Sequence, residues 1–150
     1  MKEYKISAIS EGTVIDHITP EATFKVIEIL NLDKRPDLII SVGNNMSSKQ
    51  IGKKGIIKIS GSFLGADDAN KIALIAPNAT LNIIKNFKVT EKKQLKIPEK
   101  IEGIVKCFNP NCITNVERVP TKFTVTSRDP LKLLCAYCER RMKREDIILL

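Results

Sequence analysis

The segment 13-TVIDHITPEATFKVIEILN-31 changes its pattern at the middle, and that change decides the fold class. TVIDHI, rich in β-branched residues, reads as a short strand. Thr19-Pro20-Glu21 then reads as a helix start: Thr as N-cap, Pro at the first helical position, an acid in the first turn. In the following turns Phe24, Ile27 and Leu30 fall on one stripe, with Val26 and Ile29 flanking it and Glu21 and Lys25 paired outside at i,i+4. A strand therefore feeds a helix.

Working outward, YKISAI (4–9) reads as an earlier strand, broken from the next by Glu11-Gly12. Downstream, DLIISV (37–42) alternates, with Leu38, Ile40 and Val42 on one face. Asn44 to Gly52 reads as a polar loop, and GIIKIS (55–60) as a strand with Lys58 opposite Ile57 and Ile59. ADDANKIALIA (66–76) predicts a second helix, with Asp67 and Asp68 at its positive end and Ala69, Ile72, Ala73 and Ala76 buried. ATLNIIKN (79–86) resumes strand character, and FKVT (87–90) reads as its return. The order β-β-α-β-β-α-β predicts an α+β fold: an antiparallel sheet with two helices on one face, a ferredoxin-like sandwich. Residues 91–103 are charged, contain Pro98 and lack a sustained apolar pattern, as a linker does. The expected domains are 1–97 and 98–150.

The 150 residues suffice for one mid-sized or two small domains. Aromatics are 5% and Trp is absent, so the core must be aliphatic. No apolar run approaches the ~20 residues that span a bilayer, and MKEYKISAIS lacks the apolar centre of a signal peptide. These features predict a soluble, cytoplasmic chain. The net charge of +8 predicts an anionic partner: nucleic acid, nucleotide or an acidic protein face.

All four cysteines follow the linker, as Cys107-x4-Cys112, 22 residues, then Cys135-x2-Cys138. Close pairs in a reduced chain point to metal rather than disulfides. Two tight turns can each aim two sulfurs at one point and close a tetrahedral S4 shell around Zn²⁺. Four thiolates leave no open coordination position, so the ion is expected to be structural, one per chain. Iron–sulfur and redox chemistry are the alternatives on ligands alone. Between the pairs, KFTVTS (122–127) and LKLLC (131–135) read as strands turning at Arg128-Asp129-Pro130, which makes this segment a small β-rich zinc domain.

An enzyme reading finds little to stand on. Asp16 precedes the one histidine, His17, yet strand alternation predicts that neighbouring side chains point to opposite faces. No G-x-S-x-G or P-loop is present, and Gly52-Lys53-Lys54-Gly55 lacks the Gly-rich loop of a Walker motif. Ligand binding fits better. His17, Lys58 and Lys92 are donors suited to phosphate, Asp16 can accept from a ribose hydroxyl or base amine, and Asn82 is polar opposite Leu81 and Ile83. The competing class is a zinc-ribbon nucleic-acid binder, favoured by the run Arg140-Arg141-Met142-Lys143-Arg144. The domain lacks the stacked aromatics expected of a single-strand platform.

Five segments together resemble the aspartate carbamoyltransferase regulatory chains over almost the whole length. They are A-I-x-x-G-T-V-I-D-H-I (8–18), G-K-K-x-x-I-K-I (52–59), A-P-x-A-T-x-N-x-I (76–84), C-x-N-x-N-C-I (107–113) and C-x-Y-C-E (135–139). The resemblance implies a non-catalytic subunit that binds nucleotide effectors (CTP inhibitory, ATP usually opposing, UTP a further candidate) and controls catalytic chains in pyrimidine biosynthesis. It implies regulatory homodimers linking two catalytic trimers into a dodecamer. By motif position it implies a nucleotide site of Ala8, Ile9, Val14, Asp16, His17, Lys58, Asn82, Ile84, Val89 and Lys92. It also implies that Asn109, Asn111, Tyr137 and Glu139 face the catalytic chain. Phe87 stands where the best-known pattern has Tyr, and the segment before Tyr4 is short.

Overall fold

The computed structural model describes residues 8–150. Residues 4–7 of the expected first strand lie outside the described residues, and Ala8 and Ile9 carry no strand. The chain divides into two compact units, Met1–Lys96 and Ile97–Leu150.

In the first unit, β1 (Glu11–Ile18), α1 (Thr23–Ile29), β2 (Ile39–Ser48), β3 (Gly52–Ser60), α2 (Ala66–Ile75), β4 (Thr80–Lys85) and β5 (Lys88–Gln94) follow in order. The five strands form one antiparallel sheet in the order β2-β3-β1-β4-β5. This is the βαββαβ arrangement of a ferredoxin-like sandwich with β5 added at an edge. One sheet face packs on the helices. Ile15, Ile57, Ile59, Leu81 and Ile83 meet Ala22, Val26, Leu32, Ile72 and Ala76 in a continuous aliphatic core.

Several boundaries differ from expectation, each for a local reason. Glu11-Gly12 is not a break but the start of β1. Gly12 sits at φ +142°, and a Cβ there would strike the Ile59 carbonyl oxygen, so only glycine lets β1 close on β3. Helix α1 starts at Thr23 with Ala22 at the cap position and no side-chain cap. Thr19 instead opens a turn, its carbonyl accepting from Ala22 N at 2.9 Å. The buried stripe is Thr23, Val26 and Ile29, with Ile27 and Leu30 partly buried against the core, whereas Phe24 is 65% exposed. Thr23 Oγ1 donates to Asn44 Oδ1 at 2.8 Å, and Gly55 leaves the space that this hydroxyl occupies. The polar stretch after Asn44 is not a loop. β2 runs on to Ser48 through an irregularity between Gly43 and Met46, with Asn45 at φ +56°. Val42, read as sharing a face with Leu38 and Ile40, is 40% exposed, while those two are partly buried against the core.

The second unit is β-rich. β6 (Lys100–Glu102), β7 (Val105–Lys106), the short α3 (Ile113–Val116), β8 (Lys122–Arg128), β9 (Leu131–Cys135), β10 (Arg141–Lys143) and β11 (Ile148–Leu149) make a four-stranded sheet, β10-β9-β8-β6, and a two-stranded one, β11-β7. Ile101, Phe123, Leu131, Leu133 and Met142 are its fully buried side chains of largest size. Most of the expected linker is strand: β5 takes its start and β6 covers Lys100–Glu102, leaving residues 95–99 and Gly103 without regular structure. No helix among the described residues is long and apolar enough to cross a membrane.

Candidate functional site

The sheet face opposite the helices gathers the polar residues singled out in the first unit. The register places Ser41, Lys58, Val14, Asn82 and Lys92 side by side on five consecutive strands. Residues paired in this way point to the same face. Asp16 pairs with Thr80 two residues further along β1, and Ile84 pairs with Val89 at the other end. Ser10 O accepts from Phe87 N at 3.1 Å, which draws the start of the described chain, Ala8 and Ile9, to the β4–β5 hairpin. Asn86 and Phe87 form that two-residue turn with φ of +53° and +63°.

His17 corrects the expectation from alternation. Its backbone lies at φ +58°, and the β1–β3 register shifts between Ile15 and Ile18. This bulge turns the ring back, and His17 Nδ1 lies 3.0 Å from Thr80 Oγ1, on the face that Asp16 shares. The two side chains still form no dyad. Asp16 Oδ1 accepts from Lys54 Nζ at 2.8 Å and from the His17 backbone N at 2.7 Å.

Lys54 is the site residue that the sequence did not single out. Its spacing from Lys58 on β3, four residues, puts both on one face, so strand parity was the available signal. The pairing matters for charge. Burial lowers the Lys58 pKa from its ordinary value, Asp16 opposes the shift and Lys54 adds to it. Asn82 Oδ1 is buried and accepts no hydrogen bond among the described residues. An unmet acceptor of this kind favours a ligand that brings a donor. The assembled face thus offers cations, one carboxylate and one amide across an apolar floor of Val14 and Ile84, a surface suited to a polyphosphate joined to a polar ring.

In the second unit, Cys107, Cys112, Cys135 and Cys138 bring four sulfurs within 4.8 Å of one another. Cys107 and Cys138 lie 3.6 Å apart, and Cys112 and Cys135 3.7 Å. Both separations are far beyond a disulfide bond, and the cysteines are free. They match the ~3.8 Å edge of a tetrahedron with Zn–S bonds of about 2.3 Å. The donor set and spacing fit one structural zinc ion. Cys112 sits at the cap position of α3, and Cys135 ends β9, where its carbonyl accepts from Glu139 N at 3.0 Å to close the second turn. Glu139 makes that turn at φ +61°. Burial pushes the Cys107 thiol up to about 12 and raises Cys135 as well. Burial also acts to raise Cys138, but hydrogen bonds from the Arg140 backbone, the Asn109 side chain and the neighbouring cysteines outweigh it and bring this thiol to about 7. Cys107, Cys135 and Cys138 thus hold their protons unequally, and a dication at the centre of the cluster is what lets crowded thiols ionise together.

Of the residues expected to face a partner, Asn111, Tyr137 and Glu139 are exposed. Asn109 is 9% exposed and spends its Oδ1 accepting from Asn111 N at 3.1 Å, inside the loop between the first two cysteines. Within the basic run Met142 is buried in the sheet core, with Arg141 and Lys143 on the exposed face of β10.

Comparison with known proteins covers both units. The allosteric domain of the aspartate carbamoyltransferase regulatory chain matches residues 4–96, and the metal-binding domain of the same chain matches residues 99–148. Curated relatives named aspartate carbamoyltransferase regulatory chain include that of Pyrococcus horikoshii, 55% identical over 99% of this chain and 98% of its own length. That of Pyrococcus abyssi is 54% identical over the same shares. That of Parabacteroides distasonis is 45% identical over 99% of this chain and 96% of its own. The chain belongs to the family of aspartate carbamoyltransferase regulatory chains.

Proposed function

We propose that this non-catalytic regulatory chain binds nucleoside triphosphates, CTP and ATP foremost and UTP as a further candidate, on the open face of its first unit. The observation that carries the reading is the row Lys58–Val14–Asn82–Lys92, with Asp16, Lys54 and His17 beside it. Lys58, Lys92 and His17 take phosphate oxygens through charge-assisted hydrogen bonds. Asp16 accepts from ribose or base, Ala8, Ile9 and Val89 border the base, and Val14 and Ile84 supply the floor. Phe87 replaces no needed hydroxyl in this reading, because only backbone at that position addresses the base.

Residues 1–97 thus form the effector domain and residues 98–150 the zinc domain that docks on the aspartate carbamoyltransferase catalytic chain, through Asn111, Tyr137 and Glu139, with Asn109 shaping the docking loop. Two regulatory chains pair, and three such dimers join two catalytic trimers in a cytoplasmic dodecamer. Support for pairing comes from β2, which among the described residues has a neighbouring strand on one side only and carries Ile39 74% exposed. An effector shifts catalysis only by its differential affinity for two quaternary states, a coupling of about 1–3 kcal/mol in typical systems. The test is co-purification with the catalytic chain, followed by aspartate-dependent activity with each nucleotide. An assembled complex whose activity ignores all three would overturn the effector reading.

A further inference from the structure

The loop that presents Cys107 and Cys112 is held by two residues of α3, Thr114 and Asn115. Thr114 Oγ1 donates to Cys112 Sγ at 3.1 Å. Asn115 Nδ2 donates to Cys107 O at 2.8 Å and to Asn109 O at 2.7 Å. Asn109 O also accepts from Cys112 N at 3.0 Å, so one carbonyl ties the loop to both its far cysteine and Asn115. An amide NH2 has two protons, and the two carbonyls use both; the side-chain orientation of Asn115 is therefore fixed by its partners. Neither side chain is needed as a cap for α3, whose cap position, Cys112, makes no side-chain cap bond.

We propose that Thr114 and Asn115 are positioning residues for the metal. Thr114 disperses charge on the Cys112 thiolate, and Asn115 locks the loop so that the Cys107 and Cys112 sulfurs point to one centre before the ion arrives. Four thiolates around a dication leave an excess of negative charge, which a hydroxyl donor relieves. Pre-set loop geometry slows release, because losing one ligand no longer frees the loop to swing away. Such partners of ligating residues typically govern metal affinity by about 10–100-fold.

The test uses the full regulatory chain loaded with zinc or, for spectroscopy, with cobalt(II). Thr114→Val keeps the shape and removes the donor. It should release zinc to a chelator about tenfold faster, and move the sulfur-to-cobalt charge-transfer band to longer wavelength, since an unrelieved thiolate gives up its electron more easily. Thr114→Ser should restore both. Asn115→Ala should accelerate zinc release by a similar or larger factor, with the band nearly in place, because it acts on the loop and not on the sulfur. If Thr114→Val fails to fold, the comparison of Thr114→Ser with Thr114→Ala carries the same readout. A band unmoved by loss of the hydroxyl, or a Ser variant that behaves like Val, overturns the role of Thr114. Unchanged zinc release in Asn115→Ala overturns that of Asn115.

Discussion

The two units of this chain reach stability by different routes. The first buries a continuous aliphatic core between a five-stranded sheet and two helices. The second, Ile97–Leu150, has small sheets and places three of its four sulfurs among its most buried groups. A segment of that size is marginal on apolar burial alone, whereas structural zinc contributes about 10–16 kcal/mol in small zinc-finger peptides. One unit is therefore folded by excluding water, the other by holding an ion, and the difference separates their failure modes.

The largest effect that could break this contrast is metal loss. Cys112→Ala, or chelation, should unfold the second unit and abolish assembly with the catalytic chain while the first unit stays folded. Circular dichroism and sedimentation read both; full-size assembly without zinc would erase the distinction. Acid should do the same as chelation. A Cys107 thiol held up at about 12 without metal must release its proton to solvent as zinc binds, so metal affinity rises with pH and falls on acidification. Next in size, Ile57→Ala opens a cavity at a fully buried site in the first unit and should cost about 2–5 kcal/mol in denaturant unfolding. Zinc content should remain near one per chain. A matching loss of zinc would mean that the units do not fail separately.

Smaller effects sharpen what the first unit does. Lys92→Ala should weaken CTP binding by about tenfold, the loss of one charge-assisted hydrogen bond of roughly 1.5 kcal/mol. Calorimetry with unchanged affinity would remove Lys92 from the site. The smallest expected signal concerns protons. Burial lowers the Lys58 pKa, so the charged form is disfavoured in the nucleotide-free protein. That penalty is present when Lys58 is charged and fades as pH rises through its lowered pKa, where the unfolded chain binds more protons than the folded one. A bound triphosphate favours the charged form and restores the proton. Nucleotide binding at alkaline pH should accordingly take up protons, measurable by calorimetry in buffers of different ionisation enthalpy, and affinity should decline as pH rises. Proton release would contradict the placement of phosphate at Lys58.

Pattern and spacing were enough for the fold where one physical rule acted alone. Helix α2 shows its acidic first turn in sequence and the centre of its buried stripe, Ile72 and Ala73, though it also buries Leu74, which the stripe left out; the cysteine pairs announce a metal because few other arrangements need such spacing. Pattern failed where tertiary contacts overrode it. Thr19-Pro20-Glu21 has the residues of a helix start, yet the helix begins four residues after Thr19, where Thr23 can reach Asn44 across Gly55. The polar run after Asn44 looks like a loop because its side chains are hydrophilic, but its backbone pairs with β3 as far as Ser48 and Gly52. On the open sheet face, the positions of Lys58 and Asn82 opposite the apolar core were legible from parity on their strands. The Asp16–Lys54 pair was not, since it joins strands in a register that no local pattern specifies. His17 was misread in direction for the same reason: a bulge is a property of two strands together.

That bulge has an evolutionary corollary. A left-handed backbone is open to glycine, asparagine, aspartate and histidine but hostile to β-branched side chains. Position 17 is thus filtered twice, first by which residues the main chain tolerates and then by what the ring can do. Asn would preserve the turn without the imidazole, and Val would forfeit both. Drift at this position is channelled into a narrow set of small or polar residues before any selection for effector binding begins.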